Sequence, residues 1–590
     1  MVVRSLVKPS TYFDSVTLML VQREVRELPG VHEAGVVMGT EVNKQLLRDA
    51  GLLLPEAEAA KPDDLILVVR AESEEAAARA LAHAEELLLE RHRAPLLPTE
   101  AYRPKTLSSA LRMLEGANLA LISVPGRFAG GVARDALQAG LHVMLFSDNV
   151  PMEEEIELKR LAASQGLLLM GPDCGTAILG GAALGFANRV RRGSIGIVGA
   201  AGTGIQEVAS LIHHAGAGIS HAIGTGGRDL STAVGGVTAM QALTALAADP
   251  STRVIVFLSK PPAPEVAGRI LHLARTIPKP VVVDFIGARI PAEEGLYGAE
   301  TLEDAARIAV ELATGSSPRW PEWIALPAQE ATRLAPSQKY VRGLYSGGTL
   351  CYEALVLLEQ YVGPVFSNTP LDPLMRLESP HHSRDHTVID MGSDEFTVGR
   401  LHPMLDPELR IQRLLREAED PQVAVILLDV VLGYGAHPDP ARDLAPAIRE
   451  ARARAQARGR WLPVVVPVVG TDEDPQGYQS QVQMLVEAGA LVQRSNAQAV
   501  RLAGLIAEAA GSRGSPRLLA EMPVTPMEEP PPDVRRILPL LASSPRVVNV
   551  GLEGFTQSLV SQGVPVIHMD WRPPAGGKKE LIDLLDKLNA

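Results

Sequence analysis

Cysteine is almost absent: Cys174 and Cys351 are the only two in 590 residues. That count excludes a disulfide framework and suits a reducing compartment. Aromatic residues make up only 4% against 46% hydrophobic residues overall. The cores must therefore be built from Ala, Val, Leu and Ile, as in parallel sheets buried on both faces. Positive charge is in deficit. A formal charge of −13 argues against a nucleic-acid surface, which needs a Lys/Arg excess to neutralise phosphate. No apolar run is long enough to cross a bilayer; Val423–Val431 and Leu462–Val469 are short, the first contains Asp429, and both read as buried strands. The opening MVVRSLVKPSTYFDS lacks an apolar stretch and cleavage site, so a cytoplasmic protein without membrane association is expected.

What is present divides into several cores, since 590 residues exceed one. Residues 1–105 read as a ferredoxin-like α+β module, with helices at Val16–Glu27 and Glu72–His92 and strands at Glu33–Met38 and Leu65–Val69. From residue 106 to 192, short aliphatic strands (Leu119–Val124, His142–Phe146, Leu167–Met170) alternate with the loops PGRFAGG, SDNVP and GPDCGT. This alternation predicts a Rossmann-like parallel sheet whose loops sit at the ligand end. Residues 193–316 and 339–511 form two further α/β blocks, separated by a linker at 317–338. A Pro-rich linker at 512–533 precedes a C-terminal βαβα unit at 534–590.

The two large blocks repeat one another about 145 residues apart. GIVGAAGTGIQEVA (196–209) matches GLYSGGTLCYEAL (343–355), AIGTGGRDLS (222–231) matches IDMGSDEFTVG (389–399), and ADPSTRVIVFLSKPPAP (248–264) matches EDPQVAVILLDVVLGYG (419–435). In each first segment a strand runs through glycine into a helix, which points free N–H groups and the positive end of the helix dipole at one place. Gly202, Thr203 and Gly204, and likewise Gly347, Gly348 and Thr349, are thus candidate phosphate or carboxylate sites. Glu207 and Glu353 are equivalent carboxylates further along the paired helices that could position a phosphorylated group or substrate amine.

These loops resemble the α subunit of succinyl-CoA synthetase, and SVPGRFAG (123–130) and MGPDCG (170–175) carry the likeness together with the glycine turns. Within that superfamily the chain is similar to the FdrA branch over nearly its whole length, including GYGAHPDPA (433–441) and VVNVGLEGFTQSLVSQGVPVIHMDWRPPAGG (547–577). The resemblance implies an α/β fold: a CoA-binding Rossmann-like domain plus two flavodoxin-like succinyl-CoA-synthetase-type domains. It also implies a CoA or substrate surface at Pro125, Arg127, Phe128, Ser147, Pro172, Asp173 and Cys174. In the superfamily a phosphorylated histidine sits between two facing helix N-termini, in a Gly-His-Ala-Gly-Ala motif. Here the segment is GLYGA (295–299), with Leu296 at that position, and no Gly-rich CoA loop precedes Leu107. No ATP-grasp pattern is present either. The FdrA family is labelled acyl-CoA synthetase by analogy and has been linked, with separate partner subunits, to oxamate carbamoyltransferase chemistry in purine (allantoin) breakdown.

His437, in the Gly-rich loop after a buried strand, is the first candidate for proton transfer. Arg127, Lys260 and Arg228 stand in loops where a basic group can meet phosphate or carboxylate. Cys174 and Cys351 lie beside glycine turns, which can activate a thiol, although free cysteines are commonly core residues. HHSRDH (381–386) with His402 nearby matches no standard zinc spacing, so no metal is expected. The expected function is carbamoyl or acyl phosphate transfer between the two repeated blocks, with phosphate held by the turns and His437, Glu207 and Glu353 catalytic. Carbamoyl phosphate or phosphate is the expected ligand, CoA the further candidate cofactor, and separate partner subunits or a homo-oligomer the expected assembly. The alternatives are an acyl-CoA synthetase and a non-catalytic scaffold.

Overall fold

A computed structural model describes residues 1–93 and 103–574, apart from Ala292, 321–324, Gly399, 515–519, Pro523 and 525–529. The N-terminal module is a three-stranded antiparallel sheet ordered Val2–Lys8, Leu65–Ala71, Val31–Met38, with helices Ser15–Arg26 and Glu74–Arg93 packed on it. Asp14 caps the first helix by accepting from the Thr17 N–H at 2.8 Å, and Leu18, Val21 and Val25 form its buried stripe. The strand Val2–Lys8 escaped the sequence reading because it is half-buried throughout and broken by charged Arg4.

Three larger mixed or parallel sheets form the rest, with a two-stranded parallel ribbon of Ala288–Arg289 and Ala520–Glu521. The seven-stranded sheet runs Leu296–Gly298, Val281–Phe285, Val254–Ser259, Arg192–Gly199, Ile219–Gly224, then the antiparallel hairpin Thr176–Leu179 and Ala182–Gly185. The six-stranded sheet repeats the first five of these in the same order: Leu491–Gln493, Val464–Val469, Val423–Leu428, Tyr340–Tyr345, Thr387–Asp390. Identical strand order is what the sequence repeat implies. The hairpin draws residues 176–185 out of the predicted 106–192 unit and into the neighbouring sheet.

The C-terminal unit is not separate. The five-stranded parallel sheet is ordered Val566–Met569, Val547–Val550, Leu119–Ile122, His142–Leu145, Leu169–Met170, and Val547 pairs with Leu119 and Val550 with Ile122. Leu119–Ile122 is fully buried, and an uncovered edge there would leave a row of backbone donors and acceptors unpaired. The chain end supplies the partner. The predicted closing helix of this unit falls in 575–590, outside the described residues.

The two repeated blocks share one continuous core, to which helices Gly202–His214, Leu302–Thr314, Gly348–Val362 and Asn496–Ala509 all contribute. Ile205, Val208, Leu302, Leu350, Leu358 and Ile506 are each at or below 1% exposed, and each such side chain contributes about 1.5–3 kcal/mol. The blocks are halves of one body.

A protease site placed between Pro531 and Asp533, both exposed, tests the shared sheet. After cleavage the C-terminal fragment should co-elute with the rest on native gel filtration. Its release would show an independent unit instead.

Candidate active site

The repeated helices meet end to end. The Cβ position of Gly204 lies 2.9 Å from Thr349 Cγ2, and that of Gly347 lies 2.9 Å from Thr203 Cγ2 and Oγ1. Each turn therefore needs glycine where the other presents threonine. A side chain at either glycine would push the two blocks apart. Behind the contact, two carboxylates cross over. Glu207 accepts from the Asn496 N–H at 2.8 Å, capping the last helix of the second block. Glu353 accepts from the Leu302 N–H at 2.8 Å, capping the last helix of the first. Asn496 closes the pair by donating to Glu353 at 2.8 Å and accepting from the Tyr345 hydroxyl at 3.0 Å. Burial pushes the carboxyl of Glu207 well above its usual range and that of Glu353 up to about 7. Both glutamates thus bind the two halves together through the backbone.

The two turns are not equal. Ser346 and Gly347 donate their N–H groups to Asp429 at 2.7 and 2.8 Å, so the protein's own carboxylate occupies the mouth of the second turn. Arg410 neutralises it at 3.1 Å. Of the three residues expected to hold an anion there, Gly347 is already engaged. Gly348 faces Asp390, whose Oδ2 lies 2.8 Å from the Gly348 Cβ position, and Thr349 packs on Gly204. The first turn keeps the expected opening. No side chain caps the helix that begins at Gly202, and Thr203 Oγ1 is buried without a hydrogen-bond partner. Leu296 has no place between the helices. It is a buried strand residue paired with Val281, and the strand equivalent to it in the repeat contains Leu491.

The place beside the loop Ser123–Pro125 is filled from the far end of the chain. Strand Val547–Val550 enters the loop Gly551–Leu552 and then helix Glu553–Ser561, directly beside the loop Ser123–Pro125. Ser123 donates its N–H to Val550 O at 2.8 Å, and its hydroxyl accepts from the Leu552 N–H at 2.8 Å. Gly551 has φ +121° with its Cβ position 2.6 Å from Ser123, so only glycine fits. Asn549 fixes the loop by donating to Leu552 O at 2.8 Å and Thr556 Oγ1 at 2.9 Å. The floor is aromatic: Phe146, Phe186 and Phe555 meet with centroids 4.9–6.4 Å apart.

Of the seven residues expected to line this cleft, Pro125, Arg127 and Asp173 are exposed. Arg127 lies 4.6 Å over the Phe128 ring. Asp173 keeps solvent contact on a concave wall; crowding by protein and by Asp148 lifts its carboxyl to about 6, against Arg228 and Lys260. The other four are inward. Phe128 is core, Ser147 donates to Val124 O at 2.6 Å, Pro172 is buried against Gly226, and Cys174 donates to Thr176 O. Burial pushes the Cys174 thiol up to about 12 and the Cys351 thiol well above its usual range, which disfavours a thiolate at either. Arg228 is bound to Glu155 at 2.8 Å and to Val150 O at 2.7 Å.

His437 fixes its own turn. Its Nδ1 accepts from the Asp439 N–H at 3.1 Å, its Nε2 lies 3.3 Å from Asp443, and its N–H donates to Met404 O at 2.8 Å. Burial lowers its pKa despite these acids. The GYG ahead of it is a docking loop: Tyr434 donates to Ala187 O at 2.8 Å, and Asn188 donates to Leu432 O at 3.0 Å. A proton-transfer role for His437 is not supported by this geometry. In the HHSRDH string His381 and His382 are exposed, while His386 accepts from the Val341 N–H at 3.2 Å. Three groups stand at the domain junction instead: Lys260, already a candidate phosphate contact, His402, considered in the sequence only beside the HHSRDH string, and Asp390, which sequence reasoning passed over. Lys260 follows and Asp390 ends a strand, both inside the matched repeat segments, while His402 lies beyond the short helix Asp394–Thr397.

Comparison with known proteins follows this layout. A CoA-ligase family model matches residues 344–506, a CoA binding domain model residues 190–287, and an AllF, heavy metal-associated domain model residues 1–99. The uncharacterized protein YahF of Escherichia coli (strain K12) is 46% identical over 508 residues, covering 84% of this chain and 97% of YahF. The chain belongs to the YahF family. This family is of the FdrA type, succinyl-CoA-synthetase-like. The succinate–CoA ligase [ADP-forming] subunit alpha-2 of Trichomonas vaginalis is 32% identical over 30% of this chain and 58% of its own length. The ADP-forming sulfoacetate-CoA ligase subunit SauD of Bilophila wadsworthia is 30% identical over 24% of this chain and 50% of that subunit. The CoA binding match falls on the seven-stranded sheet, whose loop at Gly226 packs on Pro172 of the five-stranded one. The two sheets build the cleft jointly. The metal implied by the N-terminal module's description does not fit its residues. The chain's two cysteines lie outside 1–99, and no group of three metal-binding side chains occurs among the described residues. No helix among them is long and apolar enough to cross a membrane.

The crossed caps carry a pH signature. Glu353 has a folded pKa raised from 4.5 to about 7, so its stabilisation is complete below about 4.5 and lost as pH rises through 7. Glu353→Gln loses an acceptor and should be less stable than wild type at pH 5, by roughly 1–3 kcal/mol. That deficit should shrink by pH 8 in thermal melts. A deficit that grows with pH would contradict a protonated Glu353.

Proposed function

We propose that the chain is an acyl-CoA synthetase-type enzyme that binds CoA in the cleft completed by residues 547–555 and exchanges acyl groups between phosphate and CoA. The observation carrying this reading is the pairing of Val547–Val550 with Leu119–Ile122, which restores a strand–Gly loop–helix unit beside the loops at 123–127 and 171–174. The open N-terminus of helix Gly126–Gln138 and the exposed Arg127 suit the diphosphate of CoA. The CoA-ligase and CoA binding matches support the same class. With leucine buried in a strand at position 296, no phosphohistidine relay is part of the proposal. Nucleotide chemistry is assigned to a separate partner subunit, and the setting is the reducing cytoplasm. The buried Leu296 also favours a second reading, carbamoyl transfer between an oxamate-type amide and phosphate, which needs an acyl phosphate but no phosphohistidine.

Titration calorimetry with CoA tests the main reading. The full chain should bind CoA, and Arg127→Glu should weaken binding by at least about tenfold, the value of one charge-assisted contact. The melting temperature should change little, because Arg127 is exposed. Absence of CoA binding to the wild-type chain would overturn the reading.

A further inference from the structure

The N-terminal module is a body of its own laid against the rest. Among the described residues, its three-stranded sheet takes in no strand from beyond it, and its two apolar cores take in no residue past Leu88. Side-chain pairs tie it down, and they fall at the two ends of one helix, Ser15–Arg26. Just ahead of the helix the Tyr12 ring meets Trp571 edge-on at 5.7 Å, and Trp571 meets Phe128 at 5.5 Å. Asp14, which caps the helix, faces Glu553: burial raises the Asp14 carboxyl, and the charge of Glu553 adds to this. Burial also raises the Tyr12 phenol, with Asp14 adding and the Arg127 guanidinium opposing. This end of the helix therefore sits on the lip formed by Arg127, Phe128, Glu553 and Trp571.

The other end reaches the block of the six-stranded sheet. Arg26 pairs with Glu408, and Arg23 lies 3.9 Å from Asp406. Both acids follow the turn in which His402 accepts from the Met404 N–H, and Glu408 opens the helix Glu408–Glu417. At 1.5 Å per residue the twelve residues of Ser15–Arg26 make a rod about 18 Å long, anchored at one end on each side of the cleft. The aromatic floor joins the same two sides. Phe555 meets Phe186 at 6.4 Å, and Phe186 meets His402 at 6.2 Å.

We propose that the helix Ser15–Arg26 is a strap across the mouth of the cleft, which lifts for a CoA-type ligand to enter or leave and closes over it during acyl transfer; the proposal rests on the CoA reading above. The build suits such a movement. Arg26 and Glu408 are each 41% exposed, and Arg23 and Asp406 are 25% and 19% exposed, so water and salt screen these pairs and they break readily. A module with its own sheet and cores loses no internal packing when it swings away. With the strap down, water is kept from an activated acyl group that it would otherwise hydrolyse.

A cross-link across one anchor tests this in the full chain. Arg26→Cys/Glu408→Cys supplies two thiols that a short bismaleimide can bridge, while Cys174 and Cys351 are 2% and 0% exposed and stay unreacted. Stopped-flow mixing with CoA should show association and dissociation both slowed by about tenfold or more in the bridged chain. The same variant capped with N-ethylmaleimide should bind and release CoA at least as fast as wild type. A second measurement needs no ligand. Acrylamide quenching of the Trp571 emission, taken as the difference from Trp571→Phe in each background, should rise when Arg23→Glu/Arg26→Glu repels Asp406 and Glu408. Uptake of CoA by the bridged chain at the wild-type rate would overturn the strap and leave the CoA reading standing. Unchanged quenching in the charge-reversed chain would overturn the strap as well. A wild-type chain that binds no CoA, with the rise in quenching present, removes the CoA reading and leaves the strap standing.

Discussion

Two threonine–glycine contacts hold this molecule in its working shape. Thr203 against Gly347 and Thr349 against Gly204 set two helix N-termini directly against each other. Such an approach concentrates positive dipole and free N–H groups at one point. It would be unfavourable without compensation. Asp429 supplies part of that compensation inside the second turn, and Glu207 and Glu353 lock the halves from behind by each capping a helix of the other. The first turn is left open while the second is filled, so a symmetric repeat yields one asymmetric site.

Around that point, three sheets present their C-terminal edges to one region. The five-stranded sheet brings the loops at 123–127, 171–174 and 550–554; the seven-stranded sheet brings Gly202 and Lys260; the six-stranded sheet brings Asp390 and, through its following loop, His402. The N-terminal module sits on the rim through side chains. Tyr12 meets Trp571 at 5.7 Å, Trp571 meets Phe128 at 5.5 Å, and Arg103 pairs with Glu553 at 2.7 Å. Its loop thus closes on the cleft residues themselves.

Local patterning made much of this legible. The aliphatic strands are legible because continuous Val/Ile/Leu runs between glycine turns have few other outcomes, and the repeat is visible in three matched segments of the sequence. What stayed hidden was pairing over long separations. Nothing near Val547 announces that it will lie beside Leu119, and so the C-terminal unit looked independent and the CoA loop looked missing. His437 has a loop position after a strand, and its contacts to Asp439 and Asp443 are ones that no spacing in the sequence announces. Glu207 and Glu353 were correctly read as equivalent, yet their partners are backbone N–H groups roughly 290 and 50 positions away, a distance no local motif records. Lys260 shows in the sequence as a loop base after a strand and His402 only as a neighbour of the HHSRDH string, whereas Asp390 carries no signal beyond ending a strand.

Hydrogen exchange with and without CoA addresses the central claim, that the chain's end completes a CoA-type cleft. CoA should slow exchange in peptides covering 123–128, 171–174 and 550–555 together, while peptides covering 433–439 remain unchanged. Protection confined to 123–174, with 550–555 exchanging as before, would contradict the claim.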